Sequence, residues 1–208
     1  GTLTLTAPVL FGQLYVTPIL VSYLQRFPEV EAQCLFLDRV VNVVEEGIDV
    51  AVRIGELPDS SLQAVRVGRV SRVLVAAPAY LQAQGTPRRP EDLADHTLVS
   101  AAGVNPVSEW RFNNAGKVLM QRVQPRMRTV TNDSAIAATL AGLGITRLLS
   151  YQVAAHVRSG ALQVVLEAFE PNPLPVHVVH HEGRRATQKV RAFVDLAVDR
   201  LRGDPALH

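Results

Sequence analysis

Thr2-Leu3-Thr4-Leu5-Thr6-Ala7-Pro8 alternates with period two and then meets a proline, the pattern of a strand running into a turn. Over residues 12–27 the period changes. Val16, Leu20, Tyr23, Leu24 and Phe27 recur at helical spacing, with Pro18 tolerable only in a first turn or as a kink, and Pro28 stops the run. Residues 30–37 alternate again through Val30, Ala32, Cys34 and Phe36. Residues 40–46 read as a short helix closed by Gly47, and 49–54 as a third strand. Strand, helix, strand, helix, strand calls for a parallel sheet with right-handed crossovers, whose ligand sites lie beyond the carboxyl ends of the strands. The loops at those ends are Ala7-Pro8, Leu37-Asp38 and Ile54-Gly55.

Downstream, residues 62–77 are strand-rich, while 78–84 and 91–94 read as short helices. Short strands follow near 97–100, 109–112, 117–121 and 127–130, with Asn113-Asn114-Ala115-Gly116 as a hairpin turn. A second strand-helix-strand set begins at Thr131-Asn132-Asp133-Ser134, which offers several N-caps to a helix carrying Ile136, Leu140 and Leu143 on one face. Strands at 145–148, 162–166 and 176–181, a helix at 151–158 and a last amphipathic helix at 187–202 complete the chain. The economical arrangement is two α/β units joined twice, with a cleft between them for a small molecule.

The 208 residues, 48% of them hydrophobic, suffice for real cores. Twenty-one Lys+Arg against nineteen Asp+Glu leave +2, which is not the electrostatic footprint of a free-standing nucleic-acid binder. Only Lys117 and Lys189 are lysines, so the basic side is almost all arginine. Cys34 alone excludes an intrachain disulfide and a cysteine zinc site, so the chain reads as reduced-compartment or redox-indifferent, with Cys34 a buried or interface thiol. No apolar run approaches the ~18 residues of a membrane span, and the start lacks the features of a signal peptide. The expectation is a cytoplasmic chain without membrane contact. Its start on Gly1 suggests a fragment whose preceding part is missing.

Catalytic constellations are not found. There is no Gly-x-Ser-x-Gly elbow, no phosphate-binding Gly-rich Lys loop and no His-Glu-x-x-His. His180-His181 with Glu182 comes nearest to a metal cluster, but adjacent strand residues point to opposite faces. Asp38, Glu45, Glu46 and Asp49 read as solvated charges, and Trp110 as a core residue. No enzyme activity, metal or cofactor is expected.

Against this background Ala7-Pro8-Val9-Leu10-Phe11-Gly12, Phe27-Pro28-Glu29-Val30 and the run from Asp38 to Gly55, which ends in Asp49-Val50-Ala51-Val52-Arg53-Ile54-Gly55, resemble the regulatory domain of LysR-type transcriptional regulators. Leu57-Pro58-Asp59-Ser60-Ser61-Leu62, Pro78-Ala79-Tyr80-Leu81, Gly85-Thr86-Pro87, Trp110-Arg111-Phe112, Leu140-Ala141-Gly142-Leu143-Gly144-Ile145 and Lys189-Val190-Arg191-Ala192-Phe193-Val194 follow in the family's order. The resemblance implies an α/β fold similar to type 2 periplasmic binding proteins: two Rossmann-like lobes joined by two crossover strands near 70–76 and 176–180. Lobe I would be 1–72 plus 179–208, and lobe II 73–178. It further implies a small effector in the inter-lobe cleft, homodimers or homotetramers, and DNA bound through an N-terminal winged helix-turn-helix absent from this chain. The alternative is a solute-binding protein of a transport system with the same fold.

Helix N-termini facing a cleft favour carboxylates. The resemblance places Ala7, Pro8, Leu10, Phe11, Arg53, Gly55, Ser100, Ala101, Asn132, Asp133 and Ser134 at the ligand, and the alternation of Ile145-Thr146-Arg147-Leu148 sends Arg147 toward the same cleft, with N-capping as the other reading of Asn132 and Ser134 and ion pairing as that of Arg53 and Arg147. An aromatic or short aliphatic acid is the expected ligand class. Leu14, Tyr15, Leu24 and Cys34 are the expected dimer contacts, with core burial within the lobe as the other reading of Leu24.

Overall fold

β1 (Thr2–Ala7) runs through Pro8 straight into a helix in the computed structural model, which describes residues 1–102, 109–181 and 187–208. This helix, α1, comprises α-helical Val9–Phe11, a π-helical turn Gly12–Val16 and α-helical Thr17–Arg26. It starts three residues before the apolar periodicity does, and Pro18 therefore lies inside it. Proline lacks an N–H and its ring clashes with the carbonyl four residues back. The wider turn just before it takes up that misfit, with the Thr17 N–H donating to the Gly12 carbonyl. Gly12 also packs directly against β2 (Glu31–Phe36): a Cβ there would overlap the Phe36 ring.

The chain divides into two compact units. The first is Gly1–Val70 with Leu174–His208, the second Ser71–Pro173. In the first, β3 (Val50–Ile54) and β4 (Gln63–Val70) join β1 and β2. The second holds β5 (Arg72–Ala76), α2 (Pro78–Gln84), β6 (Leu98–Ser100), β7 (Glu109–Asn114), β8 (Lys117–Arg122), β9 (Met127–Arg128), α3 (Asn132–Leu140), β10 (Ile145–Leu149), α4 (Ser150–Arg158) and β11 (Gln163–Val165). β12 (Leu174–His180) and α5 (Gln188–Arg202) return to the first.

The sheet of the first unit is ordered β2-β1-β3-β12-β4, parallel among β2, β1 and β3, with β12 antiparallel to both of its neighbours. α1 and α5 supply buried Val16, Ile19, Tyr23, Val190, Phe193, Ala197 and Leu201. Tyr23 meets Phe193 edge-on at 5.4 Å and donates its hydroxyl to the Lys189 carbonyl at 2.8 Å. Val41, Val43 and Ile48 form a separate cluster with Ala51 and Val179.

Residues 40–46 are not helical. The Asn42 side chain accepts from the Val44 and Glu45 N–H groups at 3.1 and 3.0 Å, closing a turn that competes with a helix among β-branched valines. The boundaries of the units also differ from the expected 72/73 and 178/179. β12 pairs with β4 from Leu174 to His180, so residues 174–178 belong to the first unit, and Ser71 and Arg72 begin the second.

The sheet of the second unit is ordered β11-β5-β10-β6-β9, with β7 and β8 as a separate hairpin. Its turn has Ala115 and Gly116 at φ 50° and 85°, the positive values of a hairpin turn matched to strand twist. Trp110 and Phe112 carry the hairpin onto Leu74, Tyr80, Leu98 and Ile145. Each such fully buried side chain stabilises by about 1.5–3 kcal/mol relative to an exposed one.

Candidate functional site

Because β1 has β2 on one side and β3 on the other, chain connections leave its carboxyl end in both directions, the place where an open α/β sheet leaves a crevice. A pocket of about 120 Å³ lies there, within the first unit. Thr6, Ala7 and Pro8 line it from the end of β1, Asp38, Arg39 and Val41 from the loop after β2, and Val52 and Arg53 from β3.

The charges of this pocket are largely engaged. Asp38 accepts the Val9 N–H at 3.0 Å, so a carboxylate of the chain itself already sits at the start of α1. Arg39 donates to Glu46 at 3.0 Å, and that hydrogen bond holds the Glu46 carboxyl below its ordinary range. Arg53 donates to the Val41 carbonyl. Asp49 accepts the Thr4 N–H at 2.8 Å and ties the start of β3 to β1. Asp38, Glu46 and Asp49 are therefore structural acceptors as well as charges, which their sequence neighbours did not reveal.

Of the expected ligand residues of this unit, Ala7, Pro8 and Arg53 line the pocket. Leu10 and Phe11 do not: they are 5% and 0% exposed and pack as core beneath α1. Gly55 lies just beyond, at φ 108°, donating its N–H to the Pro175 carbonyl. Among the expected dimer contacts, Leu14 is exposed and Cys34 is exposed on β2, the edge strand. Leu24 is half-buried, and Tyr15 packs its ring 4.9 Å from Phe11.

In the second unit, Ser100 ends β6 and is buried, its hydroxyl accepting the Ala102 N–H at 3.3 Å and its carbonyl the Thr129 N–H at 2.9 Å. Ala101 follows half-buried. The cap of α3 is Thr131, whose hydroxyl accepts the Ser134 N–H at 3.3 Å, so Asn132, Asp133 and Ser134 form the first helical turn. Asp133 and Ser134 are exposed, and Asn132 is half-buried. Leu148 is 4% exposed and belongs to the core.

Arg147 occupies β10 on the face that carries Ile145, toward the hairpin. It donates from Nη2 to the Arg111 carbonyl at 2.6 Å, and its guanidinium carbon stands 5.2 Å from the centre of the Phe112 ring. Its Nε is buried without a partner. Burial, then the charge of Arg72, lowers its pKa to about 10. In the first unit the Nδ1 of His177 is likewise buried and unpartnered.

His180 turns its Nδ1 to the His181 carbonyl at 2.8 Å, and Glu182 lies outside the described residues. Among the described residues no group of three or more His, Cys, Asp or Glu is placed to hold a metal ion, and no helix is long and apolar enough to cross a membrane.

Two α/β units, each built on a mixed five-stranded sheet and linked by two passages of the chain, define a ligand-binding fold of the periplasmic-binding-protein type. The chain belongs to the LysR substrate binding domain family, which it matches over residues 1–202. It is 30% identical to a probable HTH-type transcriptional regulator, LtrA, of Klebsiella pneumoniae, across 82% of this chain and 55% of that protein. It is 27% identical to the HTH-type transcriptional activator AaeR of Escherichia coli, across 96% of this chain and 64% of the relative. The regulatory domain of AphB from Vibrio vulnificus superimposes with a TM-score of 0.82 at 26% identity, covering 96% of this chain and 98% of that one. The chain spans 55% to 66% of the length of the first curated relatives it matches. Those relatives are named as HTH-type transcriptional regulators.

Proposed function

We propose that this chain is the effector-sensing part of a cytoplasmic LysR-type transcriptional regulator whose DNA-binding part is a separate helix-turn-helix segment. The effector is a small carboxylate, aromatic or short aliphatic. The observation that carries this reading is the pocket at the carboxyl ends of β1, β2 and β3, where Arg53 stands beside the start of α1. Asp38 at that helix start sets a requirement: the effector's carboxylate must be held by Arg53 and by backbone N–H groups other than that of Val9. Ser100, Ala101, Asn132, Asp133 and Ser134 are proposed as the second unit's contribution. Effector binding shifts the population of conformations and thereby the DNA-bound oligomer.

A thermal-shift screen of small carboxylates tests the reading. A ligand at a hundredfold excess over its Kd adds about 2.7 kcal/mol to stability, and Arg53→Met and Ser100→Ala should each remove that gain. A carboxylate that stabilises both variants as well as the parent discards the site, and a screen with no hit discards the ligand class.

Association into a homodimer or homotetramer is the second part of the proposal. Exposed Leu14 and Cys34, with Tyr15 and Leu24, form the candidate contact with another copy. Light scattering should show a dimer that Leu14→Asp dissociates. A monomer at high concentration overturns this assignment.

A further inference from the structure

β10 and β5 run antiparallel with Arg147 opposite Leu74 and Leu149 opposite Arg72, so Arg72, Leu74 and Arg147 share one face of the sheet. Arg72 and Arg147 are diagonal neighbours on it, and the hairpin strand β7 adds Arg111, whose carbonyl takes the Nη2 of Arg147. Two guanidinium groups thus share one face, and the charge of a third, that of Arg111, reaches Arg72. Each acts on the next: the charge of Arg72 adds to burial in lowering the pKa of Arg147, and that of Arg111 adds to burial in lowering that of Arg72.

Gathering like charges is costly unless something neutralises them. Among the described residues no carboxylate forms an ion pair with any of the three. Glu170, a half-buried acid of the same unit, is pushed up by burial and then by Glu167, with no arginine opposing the rise. Residues 103–108, Gly-Val-Asn-Pro-Val-Ser, contain no acidic side chain. The Nε of Arg147 is buried without a protein acceptor, so that nitrogen lacks a partner while the cluster lacks a negative charge.

We propose that Arg72, Arg111 and Arg147 form an oxyanion-binding site of the second unit, selective for a doubly charged tetrahedral group of the phosphate or sulfate class. Two half-buried guanidinium groups present planar forks of N–H donors to such a group, and its charge offsets repulsion that one carboxylate would leave largely in place. Phe112 and the Arg111 carbonyl hold the Arg147 guanidinium, so the site is prepared before the anion arrives. The site uses no residue of the carboxylate pocket and goes beyond that reading.

The test uses the 208-residue chain in a phosphate-free buffer, titrated with inorganic phosphate and, separately, with sodium chloride at matched ionic strength. Phosphate should raise Tm well above the chloride control. Arg147→Met should weaken phosphate binding at least tenfold, as should Arg72→Met, while Arg53→Met leaves it unchanged. Loss of the carboxylate response in Arg53→Met with the phosphate response intact separates the two sites. Phenyl phosphate that binds at least as tightly as inorganic phosphate identifies a phosphorylated ligand, and binding of the inorganic ion alone identifies free oxyanion. Equal stabilisation by chloride, or an undiminished phosphate response in both arginine variants, overturns the proposal.

Discussion

The strand-end pocket of the first unit and the sheet face around Arg147 in the second use arginine in opposite ways. In the pocket, Arg39 faces Glu46, Arg53 reaches the Val41 carbonyl, and Asp38 takes an N–H at the start of α1, so its charged groups are answered locally. In the second, Arg72, Arg111 and Arg147 stand together with an aromatic ring and one carbonyl as partners. Similar mixed sheets therefore carry a balanced strand-end pocket in one case and an unbalanced cationic face in the other. A balanced site is stable when empty, whereas an unbalanced one gains most from a ligand.

The largest effect comes from breaking the support of the unbalanced face. Phe112 is 1% exposed and holds both the hairpin and the Arg147 guanidinium. Phe112→Ala should cost about 3–5 kcal/mol in urea unfolding. A cost below about 2 kcal/mol would mean that the hairpin is not packed on Leu74 and Ile145 as described.

A smaller effect sharpens the contrast by its sign. Measured without phosphate or sulfate, Arg147→Met replaces a half-buried, repelled cation with an apolar chain of similar length, and stability should hold or rise, within about 1 kcal/mol. Arg53→Met removes the donor to the buried Val41 carbonyl and should cost about 1 kcal/mol. If both variants lose the same amount, the two arginines are equivalent and the comparison fails.

Most of this architecture was legible in the residues. The alternation of Thr2 to Thr6, the apolar spacing up to Phe27 and the Asp49 to Ile54 strand give the β1-α1-β2 and β3 order, because period and punctuation are local properties. The helix expected at 40–46 failed where Asn42 bonds its own backbone, a competition that apolar spacing does not register. Of the residues that the resemblance placed at a ligand, Ala7, Pro8 and Arg53 line one pocket, whereas Leu10 and Phe11 pack as core, since a helix start has an inward and an outward side that only packing distinguishes. Arg72 and Arg111 were invisible as partners of Arg147, because their meeting depends on the register of β5 with β10 and on where a hairpin docks.

The smallest expected effect is a titration that belongs to the balanced unit. His177 stands on β12 opposite Arg53 on β3 and Arg66 on β4, with its Nδ1 buried and unpartnered. Burial lowers its pKa first, the charge of Arg66 lowers it further, and Glu56 pulls the other way. The folded chain thus prefers neutral imidazole, and the unfolded chain binds the extra proton near its ordinary pKa of about 6.5. With the folded pKa below the unfolded one, the contribution is fully present above about pH 6.5 and is lost as pH falls from there through the folded value. His177→Gln cannot take up the proton, so its urea midpoint should fall less than that of the parent between pH 7.5 and 5.5. Parallel curves would show that the imidazole is solvated or hydrogen-bonded in solution. A steeper fall in the variant would mean that Glu56 outweighs both burial and Arg66, making His177 a paired cation rather than a neutral strand residue.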